Sequence, residues 1–217
     1  MHELLSGLVR YDGISNNPVQ HAFAKQRVER EERARDARLH VADGGDPETW
    51  GLDPVTVDEV WTVALDSFYH FRPSRERTLR HIATLRSSLV AFDLMMSERA
   101  GWGERLLLWG IAKGMQVPYA NFLTETGYVD MLVGVGYAKG DIEIVDISED
   151  VFEGLSRFLK ERGRQVPTFG ISWWGRWKVA GWVFGLFAKW QLVRGCVVVA
   201  RMPRVDTESQ DTMKAWI

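Results

Sequence analysis

Residues 162 to 205 contain eight Lys or Arg, no Asp or Glu, and five of the chain's ten tryptophans. The 217-residue chain is −2 overall, so the remainder carries 19 bases against 29 acids. Such polarity constrains what the chain can fold into, because a cationic, aromatic segment on an acidic chain implies a surface that meets an anionic partner. Trp173, Trp174 and Trp177 crowd into five positions beside Gly175, Arg176 and Lys178. One short element cannot turn all three rings inward, which leaves at least one for an interface or a lipid headgroup boundary.

The bulk properties set bounds. Hydrophobic content of 46% supports a real core, and 20 Gly with 10 Trp argue against a plain helical bundle. Cys196 stands alone, so no internal disulfide framework exists and a reducing compartment is expected. No apolar run reaches 18 residues; the stretch from Val179 to Ala188 is closed by Lys189. A soluble or peripheral protein follows.

Along the chain, Lys25 to His40 is a mixed-charge run that reads as a solvated helix or as disorder. An acidic Gly/Pro-containing stretch follows and reads as a linker. The expected organisation is a charged, partly flexible arm and linker over 1–54, a compact domain over 55–205 and a tail over 206–217. Val57 to Phe71 predicts a strand covered on both sides, and 75–96 predicts a helix through Leu79, Ile82 and Leu89. A second helix is predicted over Gly103 to Lys113, followed by an apolar loop over 115–127. Tyr128 to Tyr137 and Asp141 to Ile147 read as a strand pair. Ser148 opens an amphipathic helix that ends at Gly163. Strands are predicted near 178–190 and 192–201. Strands, two or three helices, then strands is an α+β order: a single compact domain whose antiparallel sheet packs against two or three helices, preceded by a charged N-terminal tail.

No catalytic signature stands out. Gly134-Val135-Gly136 precedes a strand-like segment, which suits a turn and not a phosphate cradle. The five histidines have no metal-ligand spacing, and neither a metal nor a cofactor is expected. His70 and His81 beside Asp66 form at most a weak acid–base candidate. Three features carry chemistry instead. Arg72, Arg75, Arg77 and Arg80 cluster at a helix start, where cations oppose the helix dipole, and read either as a solvated surface turn or as an anion or headgroup site. Arg176 and Lys178 with Trp173, Trp174 and Trp177 extend that membrane-binding surface. Val117, Pro118, Tyr119, Phe122 and Leu123 make a loop too apolar for free solvent, which reads either as folded onto the core or as a self-association patch.

The order of these features resembles the matrix proteins of rhabdoviruses over roughly residues 57–204. Lys178 to Ala200 (KVAGWVFGLFAKWQLVRGCVVVA) looks like that family's closing strand pair, and Tyr137-Ala-Lys-Gly140 followed by Asp141-Ile-Glu-Ile is similar to its Tyr-Lys-Gly then strand. The family's polybasic tail and Pro-Pro-x-Tyr motif are missing. The resemblance implies a non-enzymatic viral matrix protein that self-associates into an oligomer or lattice beneath the envelope. It implies peripheral binding to anionic membrane, and links to the viral nucleocapsid and to the envelope glycoprotein tail during budding. Its expected location is the virion, the host cytoplasm and the inner face of the host membrane. The competing expectation is a soluble intracellular nucleic-acid-binding module using the basic aromatic face.

Overall fold

The computed structural model describes residues 10–31, 37–52, 59–166 and 175–203. The chain divides into two compact units, Met1–Thr56 and Val57–Ile217.

In the first unit, strand β1 (Tyr11–Ser15), helix α1 (Pro18–Arg30) and strand β2 (Ala37–Val41) form a βαβ element. Helix α1 starts where it does because Asn17 caps it: the Asn17 Oδ1 accepts from the Val19 and Gln20 amides at 2.9 and 3.2 Å. Pro18 presets the first helical φ, and Arg27 and Arg30 sit at the negative end of the dipole. The two strands run parallel, Tyr11 opposite Ala37 through to Ser15 opposite Val41. Residues 10–31 and 37–41, expected within a charged arm, hold these elements. Of the charged run, Lys25 to Arg30 is helix with no buried residue, 37–40 is strand, and 32–36 lie outside the described residues.

The second unit holds a four-stranded mixed sheet in the order β3-β4-β6-β5. Its strands are β3 (Val60–Leu65), β4 (Ser87–Met96), β5 (Ile142–Asp146) and β6 (Val193–Ala200). The helices are α2 (Glu76–Thr84), α3 (Trp102–Gly114), α4 (Glu125–Val135), α5 (Ser148–Gln165) and α6 (Gly175–Trp190). Strand β3 pairs parallel with β4. Strand β6 runs antiparallel between β4 and β5, with Leu89 opposite Ala200 and Ile142 opposite the same Ala200. The expected all-antiparallel sheet is corrected to a mixed one, because α2 crosses over between β3 and β4 and returns the chain in the same direction.

Three elements differ from their sequence reading, each for a physical reason. The segment 75–96 is a helix only as far as Thr84; beyond Leu85 it becomes β4, the central strand. That strand is buried on both faces, so its apolar residues run nearly continuously and lose the alternation that marks a half-exposed strand. Tyr128 to Tyr137 lies mostly in α4, not in a strand. Thr124 Oγ1 caps it by accepting from the Gly127 amide at 3.2 Å, and Gly136 ends it at φ 117. Residues 178–190 are helix α6, which packs closely on α5. A Cβ on Gly181 would lie 3.1 Å from Leu159 Cβ, and one on Gly185 would lie 3.1 Å from Ser156 Oγ. Ser156 Oγ also donates to Gly181 O at 2.8 Å. Phe152, Val183 and Phe187 from this helix pair fill one core with Leu94, Leu108 and Phe122. Strand β3 is covered on one face only, since Trp61, Val63 and Leu65 stay exposed.

Candidate active site at the carboxyl end of β3

Parallel strands place their carboxyl ends along one edge, and ligands in open α/β sheets bind outside that edge. Strands β3 and β4 share such an edge in the second unit. The chain leaves β3 through Asp66, which adopts φ 57. Among the described residues three other non-glycine residues have positive φ: Arg86, Gln116 and Gln191. Each of those follows a helix C-terminus, where the left-handed conformation is routine. Asp66 instead follows a strand, where a short polar side chain tolerates the left-handed region and turns the chain off the sheet edge. Its backbone is held by an amide bond to Phe92 O at 3.2 Å, which continues the β3–β4 ladder.

The side chain of Asp66 is held as well. Tyr69 OH donates to Asp66 Oδ1 at 2.5 Å. Burial, reinforced by that bond and by the Asp66 charge, pushes the Tyr69 phenol far above its ordinary value, so it stays a donor. His70 follows, exposed at the rim, with its ring centroid 4.3 Å from that of Tyr69. Partial burial lowers the His70 pKa; Asp66 opposes that shift and Arg72 adds to it. A neutral imidazole beside a fixed carboxylate can accept a proton near neutral pH.

Behind the rim lies a buried polar network. Asn121 Nδ2 donates to Tyr69 O at 3.0 Å and to Phe71 O at 2.8 Å, and its Oδ1 accepts from the Arg75 amide at 3.0 Å. The Arg75 guanidinium donates to Asp93 on β4 and to Asn121 O. It also sits 5.0 Å from the centroid of the Tyr128 ring, and Tyr128 OH donates to Asp93 Oδ2 at 2.9 Å. Burial pushes the Asp93 carboxyl up, while Arg75 and hydrogen bonds from Leu94, Tyr128 and Arg75 hold it down.

The expected site residues are placed differently. Arg75 is 1% exposed and its charge faces Asp93, so it is no anion site. It lies on the core side with Leu79 and Ile82, as helical periodicity requires. Arg72 donates to Gln116 O at 2.7 Å, Arg80 pairs with Glu76 at 2.6 Å, and Arg77 is exposed; the four arginines form no single cationic patch. Trp173 and Trp174 lie outside the described residues, as does the side chain of Arg176. Trp177 and Lys178 are exposed on the first turn of α6. Val117 and Phe122 are buried in the core, and Pro118, Tyr119 and Leu123 are half-buried. Bonds from Val117 N to Ala112 O at 2.9 Å and from Met96 N to Leu123 O at 2.8 Å tie that loop inward, so it folds onto the core and presents no free apolar patch. The structure puts His70 within electrostatic reach of Asp66, with no hydrogen bond or ion pair between them, and puts His81 in the last turn of α2, at the opposite edge. A groove of about 320 Å³ between the ends of α2 and α4, lined by Arg80, Thr84 and Val135, also lies at that opposite edge, next to the start of β4. Among the described residues no His/Cys/Asp/Glu group could hold a metal, and no helix is long and apolar enough to cross a membrane.

Strand ends also face outward in the first unit. Asn16 follows β1, and Asp43 follows β2 with its Oδ1 accepting from the Gly45 amide at 2.8 Å. Both side chains are exposed.

No family model matches the chain, and no curated protein does. Solved structures do. A sarcosine dimethylglycine methyltransferase from Galdieria sulphuraria superposes with a TM-score of 0.73 at 12% identity, over 94% of this chain and 74% of its own. A cyclopropane synthase from Mycobacterium tuberculosis gives 0.67 at 13% identity, over 93% and 73%. A geranyl diphosphate methyltransferase solved with SAM gives 0.61 at 12% identity, over 94% and 73%. The fold is theirs. These matches overturn the resemblance to rhabdovirus matrix proteins and, with it, the viral structural role. The expectation of a non-enzyme rested on that resemblance and falls with it; the matching proteins are enzymes by name. They also remove the support for nucleocapsid, membrane, glycoprotein-tail, lattice and nucleic-acid partners. The Lys178–Ala200 pattern that carried the resemblance is a helix followed by a strand, not a strand pair.

Proposed function

We propose that this chain is a methyltransferase acting on a small molecule, with S-adenosylmethionine as the methyl donor. The observation that carries the reading is the superposition of nearly the whole chain on proteins named as methyltransferases, including the antiparallel β6 inserted between β4 and β5. Fold alone does not fix chemistry, so the residues must fit the donor. The first unit has no Gly-x-Gly in its β1–α1 turn, which reads Ser15-Asn16-Asn17. That motif serves to bring backbone amides against phosphate, and this donor has no phosphate. The absence of that motif from the turn is therefore compatible with this donor.

When bound, the donor supplies an electrophilic methyl on a sulfonium, and the acceptor's nucleophilic N, O or C displaces the thioether and sheds a proton. His70 is the group to take that proton, because its lowered pKa leaves it neutral near pH 7. Asp66, fixed by Tyr69, steadies the imidazolium that results. The test is calorimetric titration of the full chain with S-adenosylhomocysteine, then transfer of labelled methyl to a panel of small amines, alcohols and acids. Saturable binding is expected, with stabilisation of about 2.7 kcal/mol at a hundredfold excess over Kd. His70→Gln should lower kcat by about 10²- to 10⁴-fold without changing donor affinity. Absence of binding, or full activity in His70→Gln, defeats the corresponding part of the reading.

A further inference from the structure

We propose that Asn121 is the positioning residue for His70: a buried amide that fixes the carbonyls on either side of it and so sets where the imidazole sits at the strand edge. The inference rests on reading the carboxyl end of β3 as the active edge. Asn121 is 1% exposed and about 50 positions away in sequence from the segment it holds. Both amide hydrogens are used, one on Tyr69 O and one on Phe71 O. The side-chain oxygen takes the Arg75 amide, which as a residue just ahead of α2 has no helical acceptor. One side chain therefore spans the whole exit from Tyr69 to Arg75, with His70 bracketed between its two acceptors. The segment's other end is fixed by the Asp66 amide on Phe92 O and by the Tyr69–Asp66 bond.

Asn121 is itself immobilised. Its carbonyl accepts from the Arg75 guanidinium, its amide donates to Pro118 O at 3.0 Å, and Arg75 is pinned to Asp93 on the central strand. A buried polar network pinned in this way transmits the geometry of β4 to the exposed rim, although the Arg75 Nε–H itself has no hydrogen-bond partner. An apolar residue in this place would pack equally well but would strand the two carbonyls beside His70. The polar choice thus serves the position of the loop as well as the density of the core.

The test compares Asn121→Ser with wild type in long-range ¹H–¹⁵N imidazole spectra, with His70 assigned by its loss in His70→Gln. Asp66 and Arg72 are the charged groups acting on His70, and neither is altered. In wild type His70 should titrate below the ordinary imidazole value; in Asn121→Ser it should move up toward about 6.5 as the freed ring becomes solvated. With an acceptor in hand, kcat should fall about tenfold or more while the donor KM holds. A folded Asn121→Ser whose His70 titrates as in wild type overturns the inference. If that variant does not fold, hydrogen exchange of the wild type decides: the Arg75 amide should be protected like those of β4, and exchange as fast as the Ser74 amide overturns the clamp. Neither spectroscopic readout needs the methyl donor. A protein that binds no donor yet shows the His70 shift would refute the methyltransferase reading and leave the positioning role of Asn121 intact.

Discussion

Replacing Asp93 with Leu tests the buried network most severely. Asp93 is fully buried and accepts from the Arg75 guanidinium, from the Leu94 amide at 2.8 Å and from Tyr128 OH at 2.9 Å. Removing the carboxylate leaves the Arg75 guanidinium in the core without its counter-charge, at a cost of about 3–5 kcal/mol. The stranded Tyr128 hydroxyl adds about 1–3 kcal/mol, though the two losses share a network and do not simply add. A total near ~4 kcal/mol is a large fraction of the ~5–15 kcal/mol that holds a typical domain together. With about 2–4 °C per kcal/mol for a protein of this size, Tm should drop by roughly 10 °C, readable by calorimetry and urea titration. The triple variant Arg75→Met, Asp93→Leu, Tyr128→Phe removes every charge and hydroxyl of the network together and should recover most of that loss. It retains the side-chain bonds from Asn121 to Tyr69, Phe71 and the Arg75 amide, but it loses the guanidinium that ties the Asn121 carbonyl to β4. An Asp93→Leu variant within about 1 kcal/mol of wild type, or a triple variant no more stable than the single, would refute the reasoning.

Two further outcomes follow from packing and charge. Gly181→Ala should cost about 1–3 kcal/mol, because its Cβ meets Leu159 Cβ at 3.1 Å across the α5–α6 contact. Gly134→Ala, inside α4 with nothing within 4 Å, should instead stabilise by about 0.5–1 kcal/mol, and urea midpoints that rank these two the other way would contradict the helix assignments. Burial pushes the Asp146 carboxyl up, but hydrogen bonds from Ser148 and Arg194 outweigh it and leave the pKa below 3.8. A depressed folded-state value means the contribution is complete above about pH 4 and is lost as pH falls through the folded value. Asp146→Asn should therefore narrow the stability difference between pH 7 and pH 3, and an unchanged acid slope would count against it.

What the sequence by itself determined was whatever rests on local pattern. Helix α5 was legible because Glu149 and Asp150 open it and Phe152 and Leu159 recur on one face, although it runs past Gly163 to Gln165. Strands β5 and β6 and the core of β3 were legible from their β-branched runs. Gly136 was legible as a turn. The elements that were misread are apolar on more than one side. Strand β4 is buried on both faces, and α6 presents Val183 and Phe187 to the core and Trp182 and Val179 to solvent, so neither shows a clean period. Only the tertiary structure decided that the α6 glycines mark a close helix crossing, that 115–124 folds onto the core, and that β6 lies between β4 and β5. The site divides in the same way. Asp66 and His70 stand four residues apart and drew notice as a weak pair. Asn121, Asp93 and Tyr128 drew none, because their partners lie 18 to 52 positions away along the chain. A hydrogen bond made across such a distance leaves no trace in local composition; it exists only once the strands and helices have been packed against one another.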